Sequence, residues 1–390
     1  MEQKTSNLIF YEALFWLVGF VGATFMTFGP LFLDRCGCKG ETIGLFFTLS
    51  SLAGFVSMNV WGPVFDRFPR ARAFVVFGLA ADIGILVGLI RSRDPYFMIC
   101  SFSLIMLLEA FFPAAQAAIT FLFPDQKGRK LGQLFCFESA GFGTACLAGV
   151  IIFAAADILE IFLIFRFALF ISVILLVLSI FVPLVNWVRI ETLEKRSLLG
   201  QIALLKKNRQ IAWFGMLLFW VAIGNSMFFA YFSVYFKRVC GGTESMLGIS
   251  LLLATIFGAL VYPFYGWLGD RLGPKFLLNL SATGYFLGFA PMIFIRDPLL
   301  VIIIYSLPFY PALRIAGNLF VSNHTEESER GTGIGLIESL HALGMVIAPL
   351  LSGILVHFFG YASLPLGTTL FFSVYYLIYI AGRRHLTKMV

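Results

Sequence analysis

Long apolar runs alternate with short polar connections along the whole chain of 390 residues. A helix needs about 20 predominantly apolar residues to cross the hydrocarbon core of a bilayer, and runs of this size recur along the entire sequence. The pattern therefore predicts an all-α polytopic membrane protein with twelve transmembrane helices in two six-helix, pseudo-symmetric halves. The predicted helices lie near 10–33, 42–65, 72–90, 96–121, 131–156, 161–187, 210–236, 245–269, 276–295, 299–321, 331–356 and 361–382.

The longest polar connection, residues 189–209, falls between the sixth and seventh predicted helices. It divides the chain into an N-terminal half (1–188), a cytoplasmic central loop and a C-terminal half (210–390). The first apolar run is too long for the core of a signal peptide, so we interpret it as a retained span.

The two predicted halves repeat each other in sequence. The pairs that lie 204 positions apart are Phe15-Trp16 with Phe219-Trp220, Cys36 with Cys240, Gly44 with Gly248, Gly62 with Gly266, and Asp66-Arg67 with Asp270-Arg271. Two more pairs keep nearly the same separation, namely Arg93-Asp94-Pro95 with Arg296-Asp297-Pro298 and Glu138-Ser139 with Glu338-Ser339. Two halves of the same topology, related by an axis along the membrane normal, predict a substrate site between them at the bilayer midplane.

Composition and charge exclude several classes of protein. With 59% hydrophobic and 13% charged residues, the chain has too little polar surface for a water-soluble globule. Most Lys and Arg residues lie in the connections on the side that holds both termini, so the positive-inside rule predicts that both termini are cytoplasmic, in the plasma (bacterial inner) membrane. Basic loops that face anionic lipid explain the net charge of +7 without a nucleic-acid partner.

Two connections carry a sequence motif. Residues 266–275 fit the pattern G-x-L-x-D-R-x-G-x-K, whereas residues 62–72 depart from it, with Pro69 in place of the second glycine and basic residues at Arg70 and Arg72. The pattern resembles the loops between helices 2 and 3 and between helices 8 and 9 of the major facilitator superfamily of transporters. Together with the internal repeat, this resemblance covers essentially the whole chain.

The resemblance implies a role for each helix and for the motif. Helices 1, 4, 7 and 10 should line the cavity, helices 2, 5, 8 and 11 should form the interface between halves, and helices 3, 6, 9 and 12 should lie outside. The motif should latch the cytoplasmic side. A solvated turn that follows the positive-inside rule is enough to explain Arg70 and Arg72. That rule explains basic residues but not acidic ones, so we favour the latch role for Asp66 and Asp270. The predicted gating residues are Gly62, Asp66, Arg67, Gly266, Asp270, Arg271 and Lys275.

Ionisable side chains inside the spans are the candidates for the transport site. Such a side chain at mid-span costs roughly 2.5–3.5 kcal/mol even on a lenient insertion scale. Helical spacing places Glu109 and Gln116 on one face of helix 4, and Arg314 and Asn318 on one face of helix 10. The candidate substrate- and proton-binding residues are Glu109, Gln116, Glu138, Asn225, Arg314, Asn318, Glu338 and His341.

Structural interpretations compete with these functional ones. Arg314 could neutralise Glu109 or Glu138 as a structural pair as readily as it could contact substrate. Asn225 is balanced between an interhelical amide and a substrate ligand.

For three further charged residues within the predicted spans, a structural or solvated role is favoured over a functional one. Asp82 and Arg166 fall on predicted outer helices, which favours packing, snorkelling or structural pairing. Glu12 lies near the cytoplasmic interface, so we expect it to be hydrated.

A proton site is expected on helix 11. Glu138 and Glu338 are related by the repeat, and each lies about two turns from the cytoplasmic end of its helix. We prefer Glu338 because His341, three residues further on, gives it a titratable neighbour.

These features predict a secondary active transporter rather than an enzyme. The sequence has no phosphate-cradling loop, no H-E-x-x-H helix and no nucleophile elbow, and we expect no cofactor and no metal. We expect a monomer that moves a small organic solute by alternating access, coupled to protons, with membrane lipids as its surroundings. Symport is slightly favoured, and the alternatives are a proton-driven multidrug or metabolite efflux antiporter and an energy-independent facilitator or lipid flippase.

The sequence signature of drug–proton antiporters is incomplete. Helix 4 carries Glu109 where those transporters usually carry an arginine, and the glycine–proline run expected on helix 5 is found instead at 344–353 on helix 11. Cys36, Cys38 and Cys240 fall in predicted external connections, where we expect free thiols although pairing is chemically feasible.

The predicted orientation is testable by labelling. A thiol reagent that cannot cross membranes should react, in sealed cells, with cysteines in 35–41 or 238–244, and never with single cysteines introduced into 189–209. Labelling of the 189–209 loop from outside would reverse the orientation.

Overall fold

The computed structural model describes residues 2–68, 70–123, 127–182, 184, 205–324 and 327–387. Every regular element within these residues is a helix. Ten of the described helical stretches are long and apolar enough to span a membrane. One of them, Glu244–Ile293, contains two predicted spans, and the shorter apolar helix Pro95–Leu108 belongs to another. Twelve spans result, as predicted. Of the predicted central loop, residues 189–204 lie outside the described residues.

The first six spans are named α1 to α6. The segments of α1 are Glu2–Ala23, a π-helical turn at Thr24–Phe28, and Gly29–Arg35. The others are α2 (Gly40–Arg67), α3 (Ala71–Ser92), α4 (Pro95–Leu108 and Phe111–Leu122), α5 (Lys127–Phe153) and α6 (Ile161–Phe181).

The second six spans are named α7 to α12. They are α7 (Arg209–Phe229 and Phe232–Arg238), α8 and α9 within the run Glu244–Phe289, α10 (Pro298–Tyr305 and Tyr310–His324), α11 (Glu327–Phe359) and α12 (Leu364–Thr387). Gly273, with non-helical backbone angles, separates α8 from α9. The prediction that helix 9 continues to residue 295 is wrong, because α9 ends at Phe289 and a 3-10 turn follows.

The prediction of uninterrupted helices is wrong for α1, α4, α7 and α10. In three of these the cause is proline, which has no N–H to donate to the carbonyl four residues earlier and whose ring clashes with that carbonyl. Pro113 thus opens α4 at Glu109, and Pro311 opens α10 at Leu307. Pro30 removes the partner of a carbonyl inside the π-helical turn of α1.

The interruption of α7 has a different origin. It falls at Ala230 and Tyr231, in a stretch from 225 to 240 without proline or glycine. The sequence pattern therefore carries no local signal for it, and we have no local physical account of it.

The repeated Arg-Asp-Pro sequence is a helix-start signal. The Asp94 carboxylate accepts a hydrogen bond of 2.8 Å from the backbone N–H of Tyr96 at the start of α4. The Asp297 carboxylate accepts from the backbone N–H groups of Leu299 and Leu300, both at 3.0 Å, at the start of α10. Aspartate at the N-cap followed by proline satisfies free N–H groups and fixes the first helical φ angle.

The chain forms two compact units, one of Met1–Glu191 with Thr243–Thr255 and one of Thr192–Gly242 with Ile256–Val390. In the first unit α1 and α5 cross in backbone contact. A Cβ atom added to Gly19 would lie 1.8 Å from the carbonyl oxygen of Glu138. Small residues permit such close crossings in membranes.

A second glycine brings the backbones of α1 and α5 together at the same crossing. In the second unit, α7 and α11 cross in a similar way but at a greater distance. A Cβ atom on Gly141 of α5 would lie 1.9 Å from the carbonyl oxygen of Trp16 on α1. In the second unit, a Cβ atom on Gly344 of α11 would lie 3.0 Å from the Cβ atom of Ala222 on α7.

The glycine crossing yields a stability prediction with a control on the same helix. Gly19→Ala should destabilise the purified protein by about 1–3 kcal/mol, because the added methyl group meets the α5 backbone. Gly22→Ala, with no atom within 4 Å of the added Cβ, should be neutral or slightly stabilising, since alanine is the better helix former. The two melting temperatures in detergent test this, and equal values would contradict the crossing.

Candidate transport site

The first half of the candidate site forms where α3 meets α4. A Cβ atom on Gly78 of α3 would lie 2.2 Å from the ring of Phe111, the first residue of the second segment of α4. The helices therefore approach closely beside the interruption of α4. Because residues four apart share a helix face, this contact also turns Asp82 towards α4.

Glu109 occupies the interruption itself, with ψ 52°, outside the helical region, and a half-buried side chain. The interruption frees the carbonyl of Leu107 from its partner in a continuous helix. The indole Nε1 of Trp61 on α2 donates a hydrogen bond of 2.7 Å to this carbonyl. An unpaired backbone group is costly in hydrocarbon, so Trp61 stabilises the non-helical conformation at Glu109.

Two further acids accompany Glu109. Asp82 and Glu138 both lie within electrostatic reach of its carboxylate. Asp82 is 5% exposed, and its Oδ1 atom has no hydrogen-bond partner among the described residues. We refer to Asp82, Glu109 and Glu138 as the acidic cluster. Gln116, seven residues beyond Glu109, is also half-buried on α4.

Sequence reasoning missed Asp82. Its place on a predicted outer helix favoured packing, snorkelling or structural pairing, whereas the structure puts it beside α4, a helix expected to line the cavity. The spacing of four between Gly78 and Asp82, a small residue followed by a carboxylate on one face, is the signal that indicates a close helix contact there.

The second unit carries a cluster of mixed charge. Glu338 and Arg314 both act electrostatically on His341. The side chains of Glu338 and Arg314 are exposed, and that of His341 is half-buried. We refer to Arg314, Glu338 and His341 as the mixed cluster.

Three predicted site residues, all amides, lie outside both clusters. Gln116 is half-buried on α4, Asn318 is exposed on α10, one turn beyond Arg314, and Asn225 is half-buried on α7. No described hydrogen bond joins any of these amides to a cluster.

The motif between α8 and α9 is a turn that requires glycine. Gly273 has φ 81°, in the left-handed region that side chains disfavour, and Pro274 then begins α9. Arg271 stacks on the Trp267 ring at 4.5 Å, and the Asp270 side chain is exposed. Lys275 is half-buried, and Gly266 lies within α8.

The first copy of the motif is described only in part. Gly62 and Asp66 lie within α2, but the side chain of Asp66 lies outside the described residues, as does Pro69. Arg67 is exposed, with its guanidinium 5.6 Å from the centre of the Phe68 ring.

The expectation that Glu12 is hydrated is wrong. Glu12 is 7% exposed and accepts a hydrogen bond from the Nε2 amide of Gln133 on α5. Lys130, one turn away on α5, donates to the Oε1 atom of Gln133 at 3.0 Å. The charge of Glu12 is thus paired inside the first unit rather than solvated.

The cysteines of the connections are free thiols, with Cys36 exposed and Cys240 buried. Burial, together with the charge of Asp94, raises the pKa of the Cys36 thiol. Since the thiolate is the reactive form, surface labelling of Cys36 should become faster as the pH rises above neutral. Among the described residues, no three His, Cys, Asp or Glu side chains are placed to hold a metal ion.

Twelve membrane spans in a repeated pattern, with polar side chains at helix interruptions, define a class of solute transporters. The profile of the Major Facilitator Superfamily matches residues 13–327. The chain belongs to this family of transporters, which are not enzymes, and it is an integral membrane protein.

Curated relatives match over nearly the full length. The chain is 25% identical over 389 residues to the "Multi-drug resistance efflux pump PmrA homolog" of Lactococcus lactis, covering 95% of this chain and 94% of the relative. It is 24% identical over 383 residues to "Multidrug resistance protein MdtG" of Salmonella typhi, covering 92% and 93%.

Solved structures share the fold. The nucleoside transporter NupG matches with a TM-score of 0.82 at 15% identity, covering 98% of this chain and 99% of the other. A bacterial homologue of the human lysosomal transporter Spinster, in an inward-facing and unoccupied conformation, matches with a TM-score of 0.80 at 12% identity, covering 99% and 98%. These similarities confirm the predicted twelve-helix fold class.

Proposed function

We propose that the protein is a proton-coupled exporter of small organic solutes. The observation that carries this proposal is the acidic cluster in the middle of α3, α4 and α5, where carboxylates lie together at a helix interruption. Intramembrane carboxylates of this kind are typical of proton relays. The direction differs from the symport that the sequence favours, because the curated relatives are named as efflux and multidrug resistance proteins.

The two clusters support a division of labour. In the mixed cluster, His341 has Glu338 and Arg314 as charged neighbours of opposite sign, and such a mixture of charges is suited to binding a polar solute. In the acidic cluster, Glu109 has acids as its charged neighbours, so a proton is the simplest counter-charge. We therefore assign proton binding to Glu109 and Glu138, and solute binding to the mixed cluster, instead of the proton role that the sequence suggests for Glu338.

Two polar amides of the second unit complete the proposed solute site. Asn225 and Asn318 lie on the interrupted helices α7 and α10, and each offers both a donor and an acceptor. In the first unit, Gln116 lies on the interrupted helix α4, and we propose that it also binds solute. We propose that the protein works as a monomer, with both termini cytoplasmic in a bacterial inner membrane and with lipid around its outer helices.

The coupling assignment is testable with ethidium, a fluorescent organic cation, in proteoliposomes. Glu109→Gln should abolish uptake driven by an imposed pH gradient but retain exchange of ethidium, since exchange needs no net proton movement. Glu338→Gln should raise the KM for ethidium several-fold and retain the dependence on the gradient. The opposite pattern would return the coupling role to Glu338. Wild-type ethidium transport that ignores the gradient would indicate a facilitator or flippase.

The latch proposed for the motif is tested separately. Asp270→Asn deletes the charge but keeps the volume, so ethidium transport should fall while binding to detergent-solubilised protein is largely kept. Asp297→Asn is the matched control, because asparagine also caps helices, and it should leave transport unchanged. Normal transport by Asp270→Asn together with Asp66→Asn would reduce the motif to a turn.

A further inference from the structure

We propose that Asp82 and Glu109 act as a coupled pair of carboxyl groups that binds one proton at the interruption of α4. The inference rests on the proposed proton coupling and deepens it, because it adds a residue of an outer helix to the proton site. The proton comes from water, adds to a carboxylate oxygen without breaking another bond, and leaves as the same proton.

The helix register brings the two carboxyl groups to the same level. α3 and α4 are successive spans and therefore run in opposite directions. Gly78 packs on Phe111, so these two residues lie at the same level along the helix axes. Asp82 lies one turn after Gly78, and Glu109 lies two residues before Phe111. In antiparallel helices both steps go in the same direction, so the two carboxyl groups lie on the same side of the Gly78–Phe111 contact. Asp82 and Glu109 both lie near the middle of their helices, at the depth of the hydrocarbon core, where an uncompensated charge is costly.

The helices that pack on the pair offer it no compensating cation at its own depth. The charged residues of α2, which packs on both segments of α4, are Glu41, Asp66 and Arg67, all at its two ends. α3 packs against both segments of α4 and against α6. The charged residue of α4 is Glu109, and that of α6 is Arg166, whose side chain is exposed. Glu138 on α5 faces Glu109 with a further negative charge.

Physical chemistry then favours one shared proton. Asp82 is more than nine-tenths buried, and its Oδ1 atom is unpartnered among the described residues. Burying a charge without a partner is very costly, and two neighbouring carboxylates with like charge do not both ionise readily. A proton held by the pair removes one of the charges, and either carboxyl group can retain the other.

The second unit indicates that the fold does not itself require a carboxyl group here. Gly284 of α9 packs on Phe309 of α10, with an added Cβ atom 2.3 Å from the ring, as Gly78 does on Phe111. One turn after Gly284 stands Gly288, which faces Ile304. Both line an apolar cleft of about 340 Å³. A glycine–phenylalanine contact beside a helix interruption thus occurs in the second unit without a carboxyl group one turn further on.

The pair sits where a change of charge has a mechanical effect. A side-chain hydrogen bond from Trp61 to the carbonyl of Leu107 stabilises the non-helical conformation at Glu109. Loading or releasing the proton alters the electrostatic energy of the interruption. We therefore expect protonation of the pair to change the preferred angle between the two segments of α4.

Infrared difference spectroscopy of the full-length protein in lipid tests the pair without any substrate. A protonated carboxyl group has its own C=O stretching band, which disappears on ionisation. During a pH titration, Asp82→Asn and Glu109→Gln should each leave one titrating carboxyl group but change the pH at which its band appears, because the like-charged neighbour is gone. The double variant should remove the component altogether. A residual band that titrates at the wild-type pH in either single variant, or a component that persists in the double variant, would overturn the pair.

Two controls keep the result interpretable. Glu12→Gln removes an embedded carboxylate that already has a hydrogen-bond partner, and it should leave the shared component in place. Asp82→Glu keeps a titratable group, and it should restore the component if Asp82→Asn folds poorly. A wild type with the shared band but with gradient-independent ethidium transport would reject the proposed coupling and keep the pair. Gradient-driven transport with an Asp82→Asn spectrum like that of the wild type would reject the pair and keep the coupling.

Discussion

Backbone hydrogen bonding in hydrocarbon is the constraint on which this structure depends. A helix that spans a bilayer satisfies its own N–H and C=O groups, and any interruption leaves groups that need other partners. The described spans are interrupted in α1, α4, α7 and α10, the helices expected to line the cavity. In α4 the freed carbonyl of Leu107 is satisfied by Trp61 from the adjacent α2. In α4, therefore, protein rather than lipid supplies the missing partner.

The two units use one scaffold for different chemistry. An aspartate cap followed by proline starts α4 in the first unit and α10 in the second. Next to the interruption, a phenylalanine packs on a glycine of α3 in the first unit and of α9 in the second. Their embedded charges nevertheless differ, since the first unit carries the acidic cluster and the second carries the mixed cluster. A duplicated fold with unequal charges is suited to handling two ligands, such as a proton and a solute.

The sequence predicted the number of spans, the internal repeat and the family, because hydropathy and motif spacing are determined along the chain. It did not predict the interruptions, since an apolar run looks the same whether or not the helix within it is broken. Pro113 and Pro311 were visible signals, but Ala230 and Tyr231 were not. Asp82 and Glu12 were misjudged for the same reason. Whether an embedded acid has a partner depends on which helix faces it, and a single sequence does not record this.

The crossing of α1 and α5 has a consequence for how the first unit deforms. Gly19 and Gly141 bring the two backbones together without intervening side chains, so neither helix has a compressible layer against the other. The two backbones are therefore in direct contact at the crossing. Because the atom that Gly19 meets is the carbonyl oxygen of Glu138, a movement of α1 at the crossing displaces the backbone that carries one acid of the acidic cluster.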